Sequence, residues 1–550
     1  MSTLSLSPQA LALGAILLAT FLIPKLLQWR ARMDKVGIAS YYGSHQILMP
    51  SQMSQLNAIP TVGSSGLFSS YLSARRYKMH AREIIQEGYT KFPGQAFKVP
   101  LPDRWEVIVS GKQMMEDIKK ASDLDLSFIE AVGETMQSDY TLGLPARVDT
   151  YQVEVVRTPL TRNLAARFDD LRDEIRAAFA DEIPAKETEW MKVPMLYTVM
   201  KIVSRTSNRY FVGLPLCRDP DYINLNIEYT IDAFNGAKTL QRFPTVLKPS
   251  VLHDPSSTFA EIFASIVRQF LTDVPTCLKR ATKHIEPLIK ERLQKEVDFG
   301  SSDWPDKPND LISWLLDEAK GERRKDIIYN IVSRVLLVNF AAIHTTSMTF
   351  TNALFYLAAN PHLAQPLREE IESTVAEFGW TKAAMGKMWK LDSFLKETTR
   401  LSGLGGLTMS RMVLRDFTFS NGTVVPAGTI VSVASYGMHH DDALYEDPET
   451  LKPFRFSNKR EMEGEGIKHQ MVGIDPSFGL FGGGRHMCPG RFFAVNEIKA
   501  LVGHILVTYD IKFEGDGGYP EPDWNGASLS PNGFAQVMFR KRSATPASTT

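Results

Sequence analysis

Cysteine is scarce in this chain, and neither sign of charge is in excess. Only three cysteines, Cys217, Cys277 and Cys488, occur among 550 residues. An odd and sparse set argues against a disulfide framework and indicates a reducing compartment, so each thiol has to be judged by its surroundings. The 62 basic and 62 acidic residues leave a formal net charge of zero. We therefore expect no nucleic-acid partner held by bulk electrostatics.

The sequence also lacks Gly/Ser linkers, internal repeats and long charge blocks, which would mark domain boundaries. Helical patterns dominate from about 159 to 401. Alternating, β-branched residues predict strands only near 104–111 and 409–435, and the latter patch contains an Asn421-Gly422 hairpin turn. This balance predicts a mainly α protein with small peripheral β-sheets, in one large domain at 71–540.

The N-terminus has no charged side chain from Met1 to Pro24. Basic residues then follow at Lys25, Arg30, Arg32 and Lys35. A cleaved signal peptide would need a positive n-region and a small-residue cleavage site, and neither is visible. The pattern predicts one transmembrane anchor at 1–28, with the body of the protein in the cytosol. We expect a single-pass protein of the endoplasmic reticulum membrane.

The segments flanking the main domain have weaker patterns. Residues 29–70 are predicted to form a connector, extended from Ser51 to Ser70 because turn-forming residues are frequent there. An amphipathic helix is predicted from Arg75 to Thr90. The polar tail at 541–550 is predicted to be disordered.

A helix predicted from Asp326 to Ala359 would be on the order of 50 Å long, enough to cross a domain. Its middle carries no Lys, Arg, Asp or Glu, which leaves a membrane span as the alternative to a buried core helix. Several polar residues would be costly in lipid, and they favour the core helix. They are Asn339, His344, Thr345, Thr346, Ser347, Thr349, Thr351 and Asn352.

The strongest chemical signal is a glycine-rich loop that runs into Cys488. The loop and the first helical residues read Phe481-Gly-Gly-Gly-Arg-His-Met-Cys-Pro-Gly-Arg-Phe-Phe-Ala494. Glycines let a backbone approach a flat, bulky group, and a cysteine at a helix start favours the thiolate. Pro489 is predicted at an early position of the closing helix. A buried structural cysteine and a phosphate cradle are the alternatives, but the dinucleotide spacing is missing.

This loop resembles the haem-binding signature of the cytochrome P-450 superfamily, Phe-x-x-Gly-x-Arg-x-Cys-x-Gly. Phe481, Gly484, Cys488 and Gly490 fit that pattern. His486 stands where the family usually has arginine. The resemblance implies the P-450 fold, with Cys488 as axial ligand of heme b iron. It also implies cofactor contacts from other residues, namely Phe481, Gly482, Arg485, His486 and Arg411.

Two further motifs stand in the family's order. Glu397-Thr-Thr-Arg400 resembles the family's Glu-x-x-Arg helix, and Arg455 matches the third member of the same buried ion network. By resemblance, these three residues are structural. The family often has a Trp-x-x-x-Arg motif on an early helix that is absent here, and Arg157 or Arg162 could take the place of its arginine.

The segment Ala341-Ala-Ile-His-Thr-Thr346 of the long helix resembles the family's oxygen-binding groove. Thr345 falls on the threonine that guides protons there. His344 occupies a position that is usually acidic in the family, so both a proton-shuttling role and a structural core role are open for it. Thr345 and His344 are the candidate catalytic residues.

The resemblance implies a monooxygenase that inserts one oxygen atom from O2 into a lipophilic substrate. Electrons would come from an NADPH–cytochrome P-450 reductase. Arg485, Arg491 and Lys468 would offer it a cationic docking patch, or they are ordinary solvated surface charges. The sequence is similar to fungal secondary-metabolism members, which predicts hydroxylation of a polycyclic terpenoid. A haem-thiolate isomerase or dehydratase, a non-catalytic haem sensor and a membrane-tethered structural protein are the alternatives.

Overall fold

The computed structural model describes residues 50–66, 69–102, 104–241, 272–515 and 517–543. The predicted anchor at 1–28 and residues 544–550 of the predicted tail lie outside the described residues. The chain forms two compact units. Within the described residues, unit 1 contains 50–140, 237–241 and 409–434, and unit 2 contains the remainder. Unit 1 is therefore built from segments far apart in the chain.

Helices make up most of the described chain. The first ten are α1 Pro50–Ala58, α2 Ser69–Met79, α3 Ala81–Lys91, α4 Lys112–Lys120, α5 Phe128–Met136, α6 Gln152–Val155, α7 Thr161–Asn163, α8 Phe168–Glu182, α9 Met195–Phe211 and α10 Pro220–Leu240. The others are α11 Val274–Phe299, α12 Leu311–Glu318, α13 Ile327–Ala359, α14 Ala364–Phe378, α15 Lys382–Lys387, α16 Trp389–Ser402, α17 Ser435–His439, α18 Arg455–Arg460 and α19 Arg491–Thr508.

The strands are short. They are β1 Ala96–Pro100, β2 Trp105–Val109, β3 Leu126–Ser127, β4 Met191–Pro194, β5 Leu407–Val413, β6 Phe417–Thr418, β7 Val424–Val425, β8 Ile430–Ala434, β9 Tyr509–Lys512, β10 Asp523–Asn525, β11 Ser528–Ser530 and β12 Gln536–Lys541. Helices with small sheets are the architecture that the sequence predicts. The pairing of β4, β12 and β9 was not visible in the sequence.

Unit 1 contains a five-stranded sheet in the order β1-β2-β8-β5-β3. β1 and β2 form an antiparallel pair, whereas β2 and β8 are parallel, with Glu106 opposite Ile430. The predicted Asn-Gly hairpin is present, because Phe417 pairs with Val425 across the turn. Gly422 has a φ of 84°, a left-handed conformation that glycine adopts without steric cost.

Three local predictions in unit 1 and at the chain end were wrong. The stretch predicted as extended contains α1, a helix of nine residues. The single helix predicted from Arg75 to Thr90 is two helices, because His80 has the non-helical angles φ −132° and ψ 41°. At the chain end, Lys541 completes β12 instead of beginning a disordered tail.

The long helix α13 is the core of unit 2. It packs against α9, α11, α12, α16 and α19. Among the described residues, α13 alone has the length and hydropathy of a membrane span, and 56% of its most apolar 18-residue stretch is buried inside the protein. The packing on several sides is that of the core helix which the sequence predicts.

Candidate functional site

The centre of α13 opens to space although both of its halves are buried. Ala341 and Thr345, one turn apart on the same face, are exposed, whereas Ile343 and Thr346 are buried. The Thr345 hydroxyl donates a hydrogen bond to the Ala341 carbonyl at 2.7 Å. An exposed threonine in the middle of a buried apolar helix indicates that this part of the helix lines a cavity.

His344 faces a different direction from Thr345. Its Nε2 lies 3.1 Å from the carbonyl oxygen of Ile227, in the middle of α10. Burial lowers the pKa of His344, and the bond to the Ile227 carbonyl opposes that shift only in part. The imidazole is therefore neutral near pH 7 and is engaged with a neighbouring helix.

The predicted ligand loop closes on itself through backbone hydrogen bonds. The Cys488 N–H donates to the Phe481 carbonyl at 2.9 Å, and the Met487 N–H donates to the Gly484 carbonyl at 3.2 Å. Gly482 has a φ of 70°, in the left-handed region, so a side chain there would be strained. Cys488 is half-buried, with its thiol held at the end of this narrow loop.

The Cys488 thiol lies immediately before α19. Burial raises its pKa, while hydrogen bonds from the Gly490 and Arg491 amides and the charge of Arg491 oppose the rise. The helix begins at Arg491, with Gly490 as its N-cap, so the prediction that Pro489 lies inside the helix was wrong. The two amides and Arg491 therefore favour the thiolate form of Cys488, against the larger effect of burial.

Cationic side chains surround the loop. Arg491 donates to the Cys488 carbonyl at 3.0 Å, and Arg157 donates to the Arg485 carbonyl at 3.4 Å. Of the two arginines considered for the missing early-helix motif, Arg157 reaches the loop and Arg162 is an exposed residue of α7. Lys468 forms an ion pair with Glu465 at 2.7 Å.

Arg157 lies in an unusual turn that sequence reasoning missed. Residues Val156–Leu160 form a π-helical turn between α6 and α7. Pro159 within it has no N–H to donate, which favours a locally wider helix. A Cβ placed on Gly490 would lie 3.6 Å from the Val156 side chain, so the turn packs directly against the start of α19. Pro159 was the one feature of the sequence that could have indicated this turn.

The predicted ion network is assembled in unit 2. Arg400 binds Glu397 with two hydrogen bonds of 2.9 Å, and Arg455 Nε lies 3.1 Å from both Glu397 oxygens. Glu397 and Arg400 are fully buried. Arg400 also donates to the His439 carbonyl, and the His439 ring bonds the Phe478 carbonyl. The network thus reaches the segment that leads into the cysteine loop.

Comparison with known proteins identifies the family to which this chain belongs. A model of the family described as cytochrome P450 matches residues 66–538. Cytochrome P450 monooxygenase 103 of Postia placenta is 41% identical over 496 residues, which cover 90% of this chain and 95% of the relative. The chain belongs to the cytochrome P450 family.

Other relatives of this cytochrome P450 are also fungal. Cytochrome P450 monooxygenase CYP512U6 of Ganoderma lucidum is 35% identical over 90% of this chain and 94% of the relative. Cytochrome P450 monooxygenase paxQ of Penicillium paxilli is 30% identical over 93% of this chain and 95% of the relative. The protein is therefore a monooxygenase with a haem-iron cofactor, and such enzymes use O2, a redox-partner reductase and a small-molecule substrate.

The residues of unit 2 fit a haem. The Cys488 thiol accepts two amide hydrogen bonds, and Phe481, Gly482 and Met487 around it are only half-buried. The Nε of Arg491 is buried without a hydrogen-bond partner in the part of the chain that the structure describes. One soft anionic donor on a glycine-rich loop, with cations beside it, suits a flat anionic group that carries iron.

Arg411 belongs to unit 1, where it is only 3% exposed. It donates to the Ser410 carbonyl at 2.9 Å, and its guanidinium lies 5.4 Å from the centre of the Phe128 ring. Burial lowers its pKa to about 10. A contact between Arg411 and a haem propionate stays a prediction.

Glu497 is a fully buried carboxyl on α19 that sequence reasoning missed. It accepts hydrogen bonds from Thr206 at 2.7 Å and from Ser207 at 2.9 Å, both on α9. Burial raises its pKa from 4.5 to about 7, although the two hydroxyls act in the opposite direction. Because the folded state holds this proton more tightly than the unfolded chain, stability falls as pH rises from 4.5 towards 7.

Glu497→Gln removes this titration and is expected to stabilise the protein at pH 8. Relative to wild type, the free energy of unfolding of the variant should rise by about 2–3 kcal/mol between pH 5 and pH 8, at about 1.4 kcal/mol per pKa unit. Urea denaturation at both pH values measures it. Glu463→Gln, at an exposed position, is the control. A pH-independent difference between Glu497→Gln and wild type would show that Glu497 has an ordinary pKa.

Proposed function

We propose that Cys488 would hold the iron of a heme b through its sulfur and that Thr345 would manage protons near it. The observation that carries the proposal is the Cys488 thiol, which accepts two amides at the start of α19, a helix that packs against α13. Bound there, the haem supplies O2 activation, and its thiolate ligand favours cleavage of the O–O bond. The residues of the chain bind and orient the reacting groups.

Thr345 is suited to proton handling because its only O–H proton is already donated to the Ala341 carbonyl. The oxygen lone pairs of its exposed hydroxyl are therefore available to accept a hydrogen bond in the open space. Ala341 beside it is small enough to leave room for O2. Thr345 would hold a proton donor in a fixed place while the site excludes bulk water.

For the remaining cofactor contacts, we propose Phe481 and Gly482 against the face of the porphyrin. Arg485, His486 and Arg411 would bind the propionates. His486 carries a pH-dependent charge where arginine would be permanently cationic, so its contribution would vary with pH.

We propose a lipophilic, polycyclic substrate, specifically a terpenoid of fungal secondary metabolism. Ile231 and Phe234 on α10 are 45% and 43% exposed, and Phe340 on α13 immediately precedes Ala341. We call Ile231, Phe234 and Phe340 the apolar wall. Phe234 and Phe340 are stacked, with ring centres 5.6 Å apart and planes 25° apart. Stacked aromatic rings that are at least partly exposed suit a flat apolar molecule.

The N-terminal segment supports a proposal about location. Its uncharged run followed by basic residues is consistent with a single-pass anchor in the endoplasmic reticulum membrane, with the catalytic domain in the cytosol. There the enzyme would receive electrons from an NADPH–cytochrome P-450 reductase. The anchor would also bring the enzyme to substrates dissolved in the lipid.

The test is turnover of a panel of polycyclic terpenoids under ¹⁸O2 by membranes containing the full chain and a fungal reductase. We expect a product that carries one ¹⁸O atom and requires NADPH. A product formed without NADPH and without ¹⁸O would instead identify an isomerase or dehydratase. Haem binding without any product from the panel would favour the sensor alternative.

A further inference from the structure

The bond between His344 and Ile227 defines the tautomer of the histidine. A backbone carbonyl only accepts hydrogen bonds, so Nε2 of His344 must carry the proton at the 3.1 Å contact. To relay a proton through this ring, Nε2 would have to release its proton towards Ile227. The carbonyl oxygen of an amide is too weak a base to accept that proton. The hydrogen bond from His344 to Ile227 therefore links α13 to α10, and we call it the tie.

The tie lies beside a small apolar contact between these two helices. Ile223 and Ile227 of α10 pack with Ile343 of α13, and all three are buried. A second polar connection runs through α9, since Tyr222 of α10 donates to Asn208 of α9 at 3.3 Å and Asn208 donates to Asn339 of α13 at 2.7 Å. These contacts are enough to keep α10 docked when one hydrogen bond is removed.

A neighbouring side of α10 is held differently. Arg280 of α11 binds Asp221 at 2.6 Å and Glu228 of α10, and His284 of α11 binds Asp221 at 2.7 Å. The two carboxylates are about half exposed, so these ion pairs are weakened by solvent. The hydrogen bond from His344 is part-buried, so it is less exposed to solvent than these ion pairs.

The tie is close to the apolar wall. Ile231 and Phe234 follow Ile227 by one and two turns on the same face of α10. Phe340 lies one turn before His344 on α13, and Thr345 is the residue after it. The position of α10 against α13 at Ile227 therefore sets how far Phe234 stands from Phe340, and how wide the space beside Thr345 is.

We propose that His344 is a positioning residue, which fixes α10 over α13 through Ile227 and so sets the substrate space between Phe234 and Thr345. It carries no protons in the reaction. This inference rests on the proposed function for the identity of the space, but the helix tie itself can be tested without turnover.

The experiment compares His344→Gln with His344→Leu in the full chain. Glutamine places an N–H near the position of Nε2, whereas leucine keeps the bulk without a donor. Hydrogen–deuterium exchange of peptides covering 222–234 is expected to be about fivefold faster in His344→Leu, and within about twofold of wild type in His344→Gln. Peptides from α14 serve as the internal control and should be unchanged.

The second readout separates positioning from proton transfer. Econazole binding, followed by the shift of the Soret band, is expected to be roughly fivefold weaker in His344→Leu and restored in His344→Gln. In His344→Gln, which keeps the hydrogen bond to Ile227, peroxide released per NADPH should stay at the wild-type level. Thr345→Ala, the matched change at the next residue, should raise it.

Two results would overturn the proposal. One is unchanged exchange in α10 together with unchanged econazole binding in His344→Leu. The other is peroxide release in His344→Gln as high as in Thr345→Ala, which would make His344 a proton carrier. A wild-type protein without a thiolate-type carbon monoxide spectrum would reject the proposed function, while the exchange of α10 would still decide the tie.

Discussion

Cys488→Ala is expected to abolish the strongly red-shifted Soret band of the reduced, carbon monoxide-bound protein and all NADPH-dependent oxygenation. Cys488 offers the loop's only thiol, placed where the Gly490 and Arg491 amides favour its anionic form. Without sulfur on the iron, electron density is no longer pushed towards bound ligands. The measurement is a difference spectrum of full-length protein in membranes.

The other two cysteines provide matched controls. Cys217 lies 3.9 Å from Glu174, and Cys277 donates to Asp232 at 3.3 Å. Burial raises the pKa of both thiols to about 12, and the carboxylate beside each thiol adds to the rise, whereas amides and Arg491 oppose it at Cys488. Alanine at either position should leave the spectrum unchanged. A red-shifted band that persists in Cys488→Ala would mean that another residue holds the iron.

Glu397→Gln is expected to cost about 3–5 kcal/mol of unfolding free energy, because it leaves two guanidinium groups without their shared carboxylate. Glu397 and Arg400 are fully buried, and Arg455 is nearly so. Since Arg400 also holds His439, which bonds the Phe478 carbonyl, haem retention should fall together with stability. Urea denaturation and the haem-to-protein absorbance ratio measure the two effects.

An exposed ion pair with the same spacing provides the comparison. Glu322 and Lys325 are three residues apart, but their side chains are 86% and 73% exposed. Lys325→Ala should change stability by less than about 1 kcal/mol, because solvent screens such pairs. If Glu397→Gln were equally mild, the buried network would not be the support of the cysteine loop that its contacts indicate.

Much of the fold could be predicted because its signals are local. The uncharged stretch of α13 identifies a buried helix, and Asn421-Gly422 identifies a tight hairpin, since each depends on neighbours within a few residues. The glycine-rich loop around Cys488 is equally local. The break at His80 was missed because nothing in the adjacent residues requires it.

The sequence by itself determined the family, the helical class and the residues with chemical potential, because these depend on residue type and spacing. Only the tertiary structure decided which way each side chain points. His344 and Thr345 are adjacent in sequence, yet one is tied to Ile227 while the other faces open space, since successive helical residues diverge by about 100°. Likewise, Glu497 became a buried titrating group only because α9 packs over it.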